Sequence, residues 1–338
     1  MKKILSICIP SYNMEEYLPR CVDSMIIDEV LEQLEIIIVN DGSKDATLSI
    51  ANEYKTRYPG SVVVIDKPNG HYGSCINASL KVATGKYFRI VDADDWVDNK
   101  ALVELVHKLE ELDVDSVCTK YAECWIGKEK KDIEIVGMPA NEVLDLNQFI
   151  LPVDCCHMHC LTYRTELLRE IDYQQTEGVC YTDTEYVYFP LSCSRNFYFL
   201  DITLYQYFLG REGQSVAMNE FMKNNSHYIK IVNSIQAFHH GDHPFNKNEK
   251  SIWACMLSNV IEMSVLLYVL YMDYDHTKEK VFRPAMKELR QQNLLHYSDG
   301  MWSQNDLRVA NLWCDTGSLS RLLLVPVKIY KRRGILNS

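Results

Sequence analysis

Tyr87-Phe88-Arg89-Ile90-Val91-Asp92-Ala93-Asp94-Asp95 is the stretch on which the reading of this chain turns. A short, mostly apolar run of this length reads as a buried strand. It ends in three carboxylates within four residues. Carboxylates this close repel one another unless a cation neutralises them. A hard divalent ion, Mg2+ or Mn2+, does so by taking one or two carboxylates together with phosphate oxygens. The competing reading is an acidic helix start, where the helix dipole favours Asp. Position at the end of a buried strand favours the ion.

Working outward, residues 5–10, 34–40, 62–66 and 116–121 are apolar runs of the same kind. Between them lie amphipathic stretches at 15–27, 46–58, 73–83 and 100–112 with helical spacing. Strands alternating with helices predict right-handed crossovers and an α/β architecture, a mostly parallel central sheet flanked by helices. In such sheets ligands sit beyond the carboxyl ends of the strands. After Tyr121 the pattern loosens. Residues 123–136 read as a hairpin turning at Gly127, 145–200 mix short elements, and the chain beyond Gly213 reads as mainly helical. The expected organisation is an α/β domain over 1–213 and a helical C-terminal extension over 214–338.

The 338 residues leave room for two domains at roughly 150 residues each. A chain with 47% hydrophobic and 24% charged residues is globular, which excludes disorder, collagen-like repeats and coiled coil. Asp and Glu number 46 against 35 Lys and Arg, giving a net charge of -11. No basic footprint for nucleic acid follows from that balance. Twelve cysteines are scattered, and Met1-Lys2-Lys3 leads into an apolar run too short for a secretory leader. Reduced thiols and a cytoplasmic location are expected. Residues 252–272 have the length of a bilayer span, yet Asn259 and Glu262 near the middle favour a buried helix. Residues 321–333 carry five basic side chains (Arg321, Lys328, Lys331, Arg332 and Arg333) beside an apolar Leu322, Leu323, Leu324, Val325 and Ile329. This tail reads either as a peripheral anchor on anionic lipid or as a frayed basic end.

Further candidates stand at predicted strand ends. Asn40-Asp41-Gly42-Ser43 follows an apolar run; Asp41 there faces the ligand crevice, or belongs to an ordinary strand-to-helix turn. Tyr181-Thr182-Asp183-Thr184-Glu185 follows the loop signal Glu177-Gly178, and a helix N-cap competes evenly with a site carboxylate. Pro10-Ser11-Tyr12-Asn13 ends the first strand, with Tyr12 either flat against a base or an aromatic on the rim. The loop Asn69-Gly70-His71-Tyr72-Gly73-Ser74 brings backbone N–H groups and a helix N-terminus toward a phosphate. It lacks the Gly-Lys-Ser/Thr ending of a Walker loop. No GxGxxG follows the first strand, which argues against a nicotinamide enzyme. Cys155-Cys156-His157-Met158-His159-Cys160 offers five soft-metal ligands, but no second pair follows at zinc-site spacing. Buried thiols beside a site histidine are the preferred reading.

Taken in order, these pieces resemble the family 2 glycosyltransferases of the GT-A fold. The matching segments are Ser6-Ile7-Cys8-Ile9-Pro10-Ser11-Tyr12-Asn13, residues 38–47, Ala83-Thr84-Gly85-Lys86-Tyr87 into 91–96, and 177–189, with a later echo from Leu204 to Ser215. The resemblance covers about residues 4 to 215. It implies an inverting transferase that uses Mg2+ or Mn2+ and a nucleotide-sugar donor, with UDP the expected nucleotide. It implies that Tyr12 stacks on the base with Pro10 and Asp41, that Asp92 touches the ribose beside Ala93, and that Asp94 holds the metal. Asp183 matches the general base. Asn69, His71 and Asn77 complete the expected donor contacts.

Two departures stand out. Many members carry Arg-Asn where this chain has Ile76-Asn77, so His71 or the metal compensates at the diphosphate. The processive Gln-x-x-Arg-Trp signature is missing, since Gln214 precedes Ser215-Val216-Ala217. Transfer of one sugar to a glycan or lipid-linked acceptor is therefore expected rather than polymerisation. The alternatives are a sugar-nucleotide-binding protein without turnover and, less favoured, a sugar-phosphate nucleotidyltransferase, which wants a Gly-rich basic loop after the first strand.

Overall fold

The structure is a computed structural model and describes residues 2–152, 157–211 and 226–257, together with 214, 224, 260, 280, 284, 285, 287 and 288. In chain order the strands are β1 Leu5–Ser11, β2 Leu34–Asp41, β3 Val62–Lys67, β4 Tyr87–Ile90, β5 Trp96–Val97, β6 Ser116–Trp125, β7 Lys131–Ile133, β8 Val143–Asp145, β9 Leu161–Arg164 and β10 Asn196–Leu209. The helices are α1 Leu18–Asp23, α2 Thr47–Arg57, α3 His71–Val82, α4 Asn99–Glu111, α5 Thr165–Glu170, α6 Asp183–Cys193 and α7 His227–His239.

The strands form one sheet in the order β3-β2-β1-β4-β9-β6-β10-β5, with β7 on β6 and β8 on β10. From β3 to β4 every pairing is parallel. There the expected α/β crossovers hold, and β2 is buried along its whole length, as a strand covered on both faces must be. Beyond β4 the sheet is mixed, because β9 enters antiparallel between β4 and β6. The expected hairpin is present, with β7 antiparallel to β6 and Gly127 at φ +72° in the turn. The amphipathic stretch at 15–27 is helical only over α1, where Pro19 enters the first turn.

The mixed half is tied at its base by one buried carboxylate. Asp115, 1% exposed, accepts from Arg195 N and Nε at 2.8 Å and from Arg195 Nη2 at 3.0 Å, and pairs with Arg164. Burial alone would raise this carboxyl; the Arg195 hydrogen bonds and both guanidinium charges outweigh it and hold Asp115 below the usual carboxylate range. That clamp joins the start of β6 to β9 and β10.

The chain divides into two compact units. One runs to Gln214 and includes His243–Glu249; the other takes in α7 and the described residues from Lys250 onward. In the first unit, Asn246 Nδ2 donates to Leu191 O and Ser194 O at the end of α6, and Tyr188 donates to Glu249 at 2.6 Å. Residues 249–257 are helical in the sequence region read as a long buried helix. The remainder of 252–272, Cys155, Cys156 and the basic tail lie outside the described residues. Among the described residues no helix is long and apolar enough to cross a membrane, and the nine described cysteines are free thiols.

Candidate functional site

The site lies at the carboxyl ends of the strands and has two sides. On the first side, Asp41 closes β2, 3% exposed, and pairs with Lys67 Nζ at 2.5 Å from the end of β3. The Asp41 carboxylate also accepts from Gly70 N at 2.9 Å, while Lys67 donates to Ser74 at 2.7 Å. The β3–α3 loop is thereby fastened to β2. Gly42, at φ +72°, lets the backbone of Asn69 approach; a Cβ there would meet Asn69 N at 2.9 Å. Pro10 pairs in register with Val39, and Tyr12 follows β1 with 43% of its surface exposed. Hydrogen bonds from Lys44 N to Asn13 and from Met14 N to Thr47 lace the β1 and β2 loops together. Asn69 is exposed in its loop, and His71 is exposed at the first residue of α3 with φ +64°.

The second side gathers carboxylates. Asp92 accepts from the Tyr72 hydroxyl at 2.7 Å, and its backbone N–H donates to Tyr205 at 3.2 Å. Burial, then the neighbouring charges of Asp94 and Asp183, push the Asp92 carboxyl up to about 7. Asp94 accepts from Arg211 Nε at 2.6 Å, and its carbonyl accepts from Arg20 at 2.6 Å. Arg20 is itself sandwiched, 4.0 Å over Trp96 and 4.4 Å over Phe208. Asp95 differs in kind. It is 1% exposed and accepts from Tyr205 at 2.5 Å and from Phe208 N at 2.7 Å, so it pins β10 to the acidic turn. Ala93 is buried between the acids. The donor set is hard carboxylate oxygen with few cations of its own, which fits Mg2+ or Mn2+.

Asp183 reaches this neighbourhood from far along the chain. It is the first residue of α6, with Thr182 at the N-cap; its surface reaches solvent while protein crowds the carboxyl from behind. Desolvation by the surrounding protein moves its carboxyl upward, opposed by the backbone N–H groups of Thr184 and Asp183. The segment leading to it is fixed to α3. Asn77 gives both amide protons to that segment, to Gln175 O and Glu177 Oε1 at 2.9 Å, and accepts from Gln175 N at 2.8 Å. Glu185, fully buried, accepts from Thr176 N at 2.7 Å and Thr176 Oγ1 at 2.6 Å. Gly73 permits the contact, since a Cβ on it would meet Thr176 O at 2.4 Å.

Of the expected residues, the structure brings Asp92, Asp94 and Asp183 into one electrostatic neighbourhood and sets Pro10, Tyr12, Asp41, Asn69 and His71 on adjoining strand ends and loops. Asn77, expected at the donor, spends its amide on residues 175–177 and so braces the segment leading to Asp183. Sequence reasoning did not single out Lys67, Tyr205, Arg20 or Glu185. Their partners lie 26 residues away for Lys67, 110 or more for Tyr205 and 74 for Arg20. Only for Glu185, nine residues from Thr176, was a local signal present.

The His159 ring, of the Cys/His cluster, lies tilted against Tyr205 (4.5 Å, 33°) and Tyr207 (4.4 Å, 35°). Burial, with His157 and Arg89 adding to it, pulls its imidazole down to about 3. Cys160 is buried beside it. Among the described residues this cluster forms no three-ligand metal group.

The sequence profile of Glycosyl transferase family 2 matches residues 6–172. The uncharacterized glycosyltransferase EpsJ of Bacillus subtilis is 36% identical over 117 residues, 35% of this chain and 33% of that protein. The poly(ribitol-phosphate) beta-glucosyltransferase of Bacillus spizizenii is 40% identical over 102 residues, 29% of this chain and 16% of that protein. The aligned stretches thus span a third or less of these relatives. Among solved structures, S. aureus TarS 1-349 in complex with UDP superposes with a TM-score of 0.65 at 19% identity, covering 98% of this chain and 92% of that one. The same protein with UDP-GlcNAc gives 0.63 at 18% identity. These matches show a GT-A fold.

Proposed function

Residues 6–172 belong to glycosyl transferase family 2, and on that premise we propose that this chain transfers one sugar from a UDP-sugar to a hydroxyl of a glycan or lipid-linked acceptor, inverting the anomeric centre. The observation that carries the proposal is the meeting of Asp92, Asp94 and Asp183 in one neighbourhood. The relatives' activities and the UDP complexes of a structural neighbour support the donor class. The catalytic region is assigned to residues 1–213, and 214–338 to an accessory role.

Each group has a part. Tyr12 stacks on the uracil, with Pro10 and Asp41 shaping its pocket and Lys67 fixing the Asp41 carboxylate. Asn69 and His71 line the donor at the N-terminus of α3, whose backbone dipoles favour the diphosphate. Asp92 contacts the ribose beside Ala93. Asp94 would hold Mg2+ or Mn2+, which when bound would supply positive charge to offset that of the diphosphate. Arg211, held beside Asp94, adds positive charge on the same side. Asp183 takes the proton of the acceptor hydroxyl as that oxygen bonds to the anomeric carbon from the face opposite the diphosphate. The bond from that carbon to the diphosphate oxygen breaks as the new one forms, and its electron pair leaves with UDP. An upward-shifted carboxyl is the stronger base for that proton, and no covalent sugar intermediate is required.

The test is isothermal titration of UDP, GDP, ADP and CDP, with and without Mn2+. UDP alone should bind, with metal, and Asp94→Asn should weaken it by about tenfold or more. Failure of every nucleotide to bind under both conditions would remove the crevice as a donor site.

A further inference from the structure

The second unit carries a set of side chains that the transferase reading leaves unused. His239 ends α7 and His240 caps it. With Glu288 they offer two imidazole nitrogens and one carboxylate oxygen, all within 4.8 Å of one another. His240 Nε2 stands 3.4 Å from Glu288 Oε1. The supporting residues are ordered around them. Gln236 Nε2 donates to the other Glu288 oxygen at 2.7 Å, and Gln236 is oriented in turn by the Trp253 indole N–H at 2.9 Å. The His239 ring lies flat on Trp253, 4.1 Å away at 13°, and Trp253 is fully buried.

From this we propose that the second unit binds a borderline divalent transition-metal ion, Zn2+, through His239, His240 and Glu288. Two imidazoles and a carboxylate suit zinc, whereas Mg2+ and Ca2+ prefer all-oxygen sets. Zinc at its normal bond lengths asks for ligand atoms about 3.3 Å apart. Binding draws the donor atoms in from within 4.8 Å by side-chain rotation, and His240 is 59% exposed. Glu288 already has the outer-shell hydrogen bond that ligating carboxylates carry. The carboxyl end of a helix, with its partial negative charge, is also where a cation is favoured. The ion staples the end of α7 to the segment bearing Glu288, which lies 48 residues beyond His240 in sequence. The fourth coordination position is left for water.

The experiment uses the untagged, reduced, metal-stripped full chain titrated with Zn2+, and with Co2+ read by absorption. One equivalent of Zn2+ should bind, Zn2+ should raise the melting temperature, and Co2+ should show d–d bands without thiolate charge transfer. Glu288→Gln, which keeps the size of the side chain, and His240→Asn should each weaken Zn2+ at least tenfold and cancel the thermal shift. Asp94→Asn should leave the Zn2+ equivalent in place. No Zn2+ binding, equal binding in the Glu288→Gln/His240→Asn double variant, loss of the equivalent in Asp94→Asn, or a thiolate band placing the ion on the cysteines would each overturn the proposal.

Discussion

Both sides of the crevice are acidic, and they treat that acidity in opposite ways. At the ends of β2 and β3, Asp41 is matched by Lys67 at 2.5 Å and by a backbone N–H, and the pair locks a loop. At the end of β4, Asp92 and Asp94 crowd together and feel Asp183; Arg211 is a cation set directly on them. A carboxylate that is paired and hydrogen-bonded is a fixed part of the wall. On the second side Asp94 has its Arg211 partner, yet three carboxylates crowd one another there, and a ligand or a transferred proton relieves that repulsion. In the proposed function the first side frames the base and the second carries the chemistry.

The sharpest break in that comparison is Asp183→Asn. Loss of a positioned general base should lower sugar transfer by about 10³-fold, measured by release of UDP from UDP-sugar with acceptor present. UDP affinity should stay within about threefold of wild type, because Asp183 lies on the chemical side. Full retained transfer would move the base elsewhere. A smaller effect belongs to the frame: Lys67→Met leaves Asp41 without its cation and should raise the dissociation constant for UDP by about tenfold. Its Mn2+ dependence should be unchanged, and a lost metal response would mean that the two sides are not separable.

The smallest effect concerns pH. His159, pulled down to about 3 in the folded chain, binds its proton more readily when unfolded. Its contribution is fully present above pH of about 6.5 and falls as pH drops below that, by at most about 1.4 kcal/mol per pH unit. Thermal melts from pH 7 to 5 should therefore slope less in His159→Phe than in wild type. Parallel slopes would show that burial does not hold the ring neutral.

The two halves of the sheet also differ in how far the sequence discloses them. The parallel half was legible because β1, β2 and β3 are continuous apolar runs separated by helices, so periodicity and connection length are both local signals. Helix α6 was not, because Glu185 through Cys193 are all buried. A helix buried on every side has no polar face to give a period of 3.6. Strand β9 was hidden for another reason: its antiparallel place between β4 and β6 depends on pairing partners 43 or more residues away.

The same division runs through the site. Residue types at strand ends are a local property, so Asp41, Asp92, Asp94 and Asp183 could be named from order and spacing alone, with the family resemblance supplying their roles. What those residues touch is not local. Only the folded chain decides that Asp95 is tied up by Tyr205 and the Phe208 amide while Asp92 is pushed up to about 7. Only the folded chain makes Asn77 a brace for residues 175–177. Sequence determines which groups are available at each strand end. Desolvation and charge pairing, which act between residues about a hundred positions apart, determine which of those groups are neutralised and which are left to react.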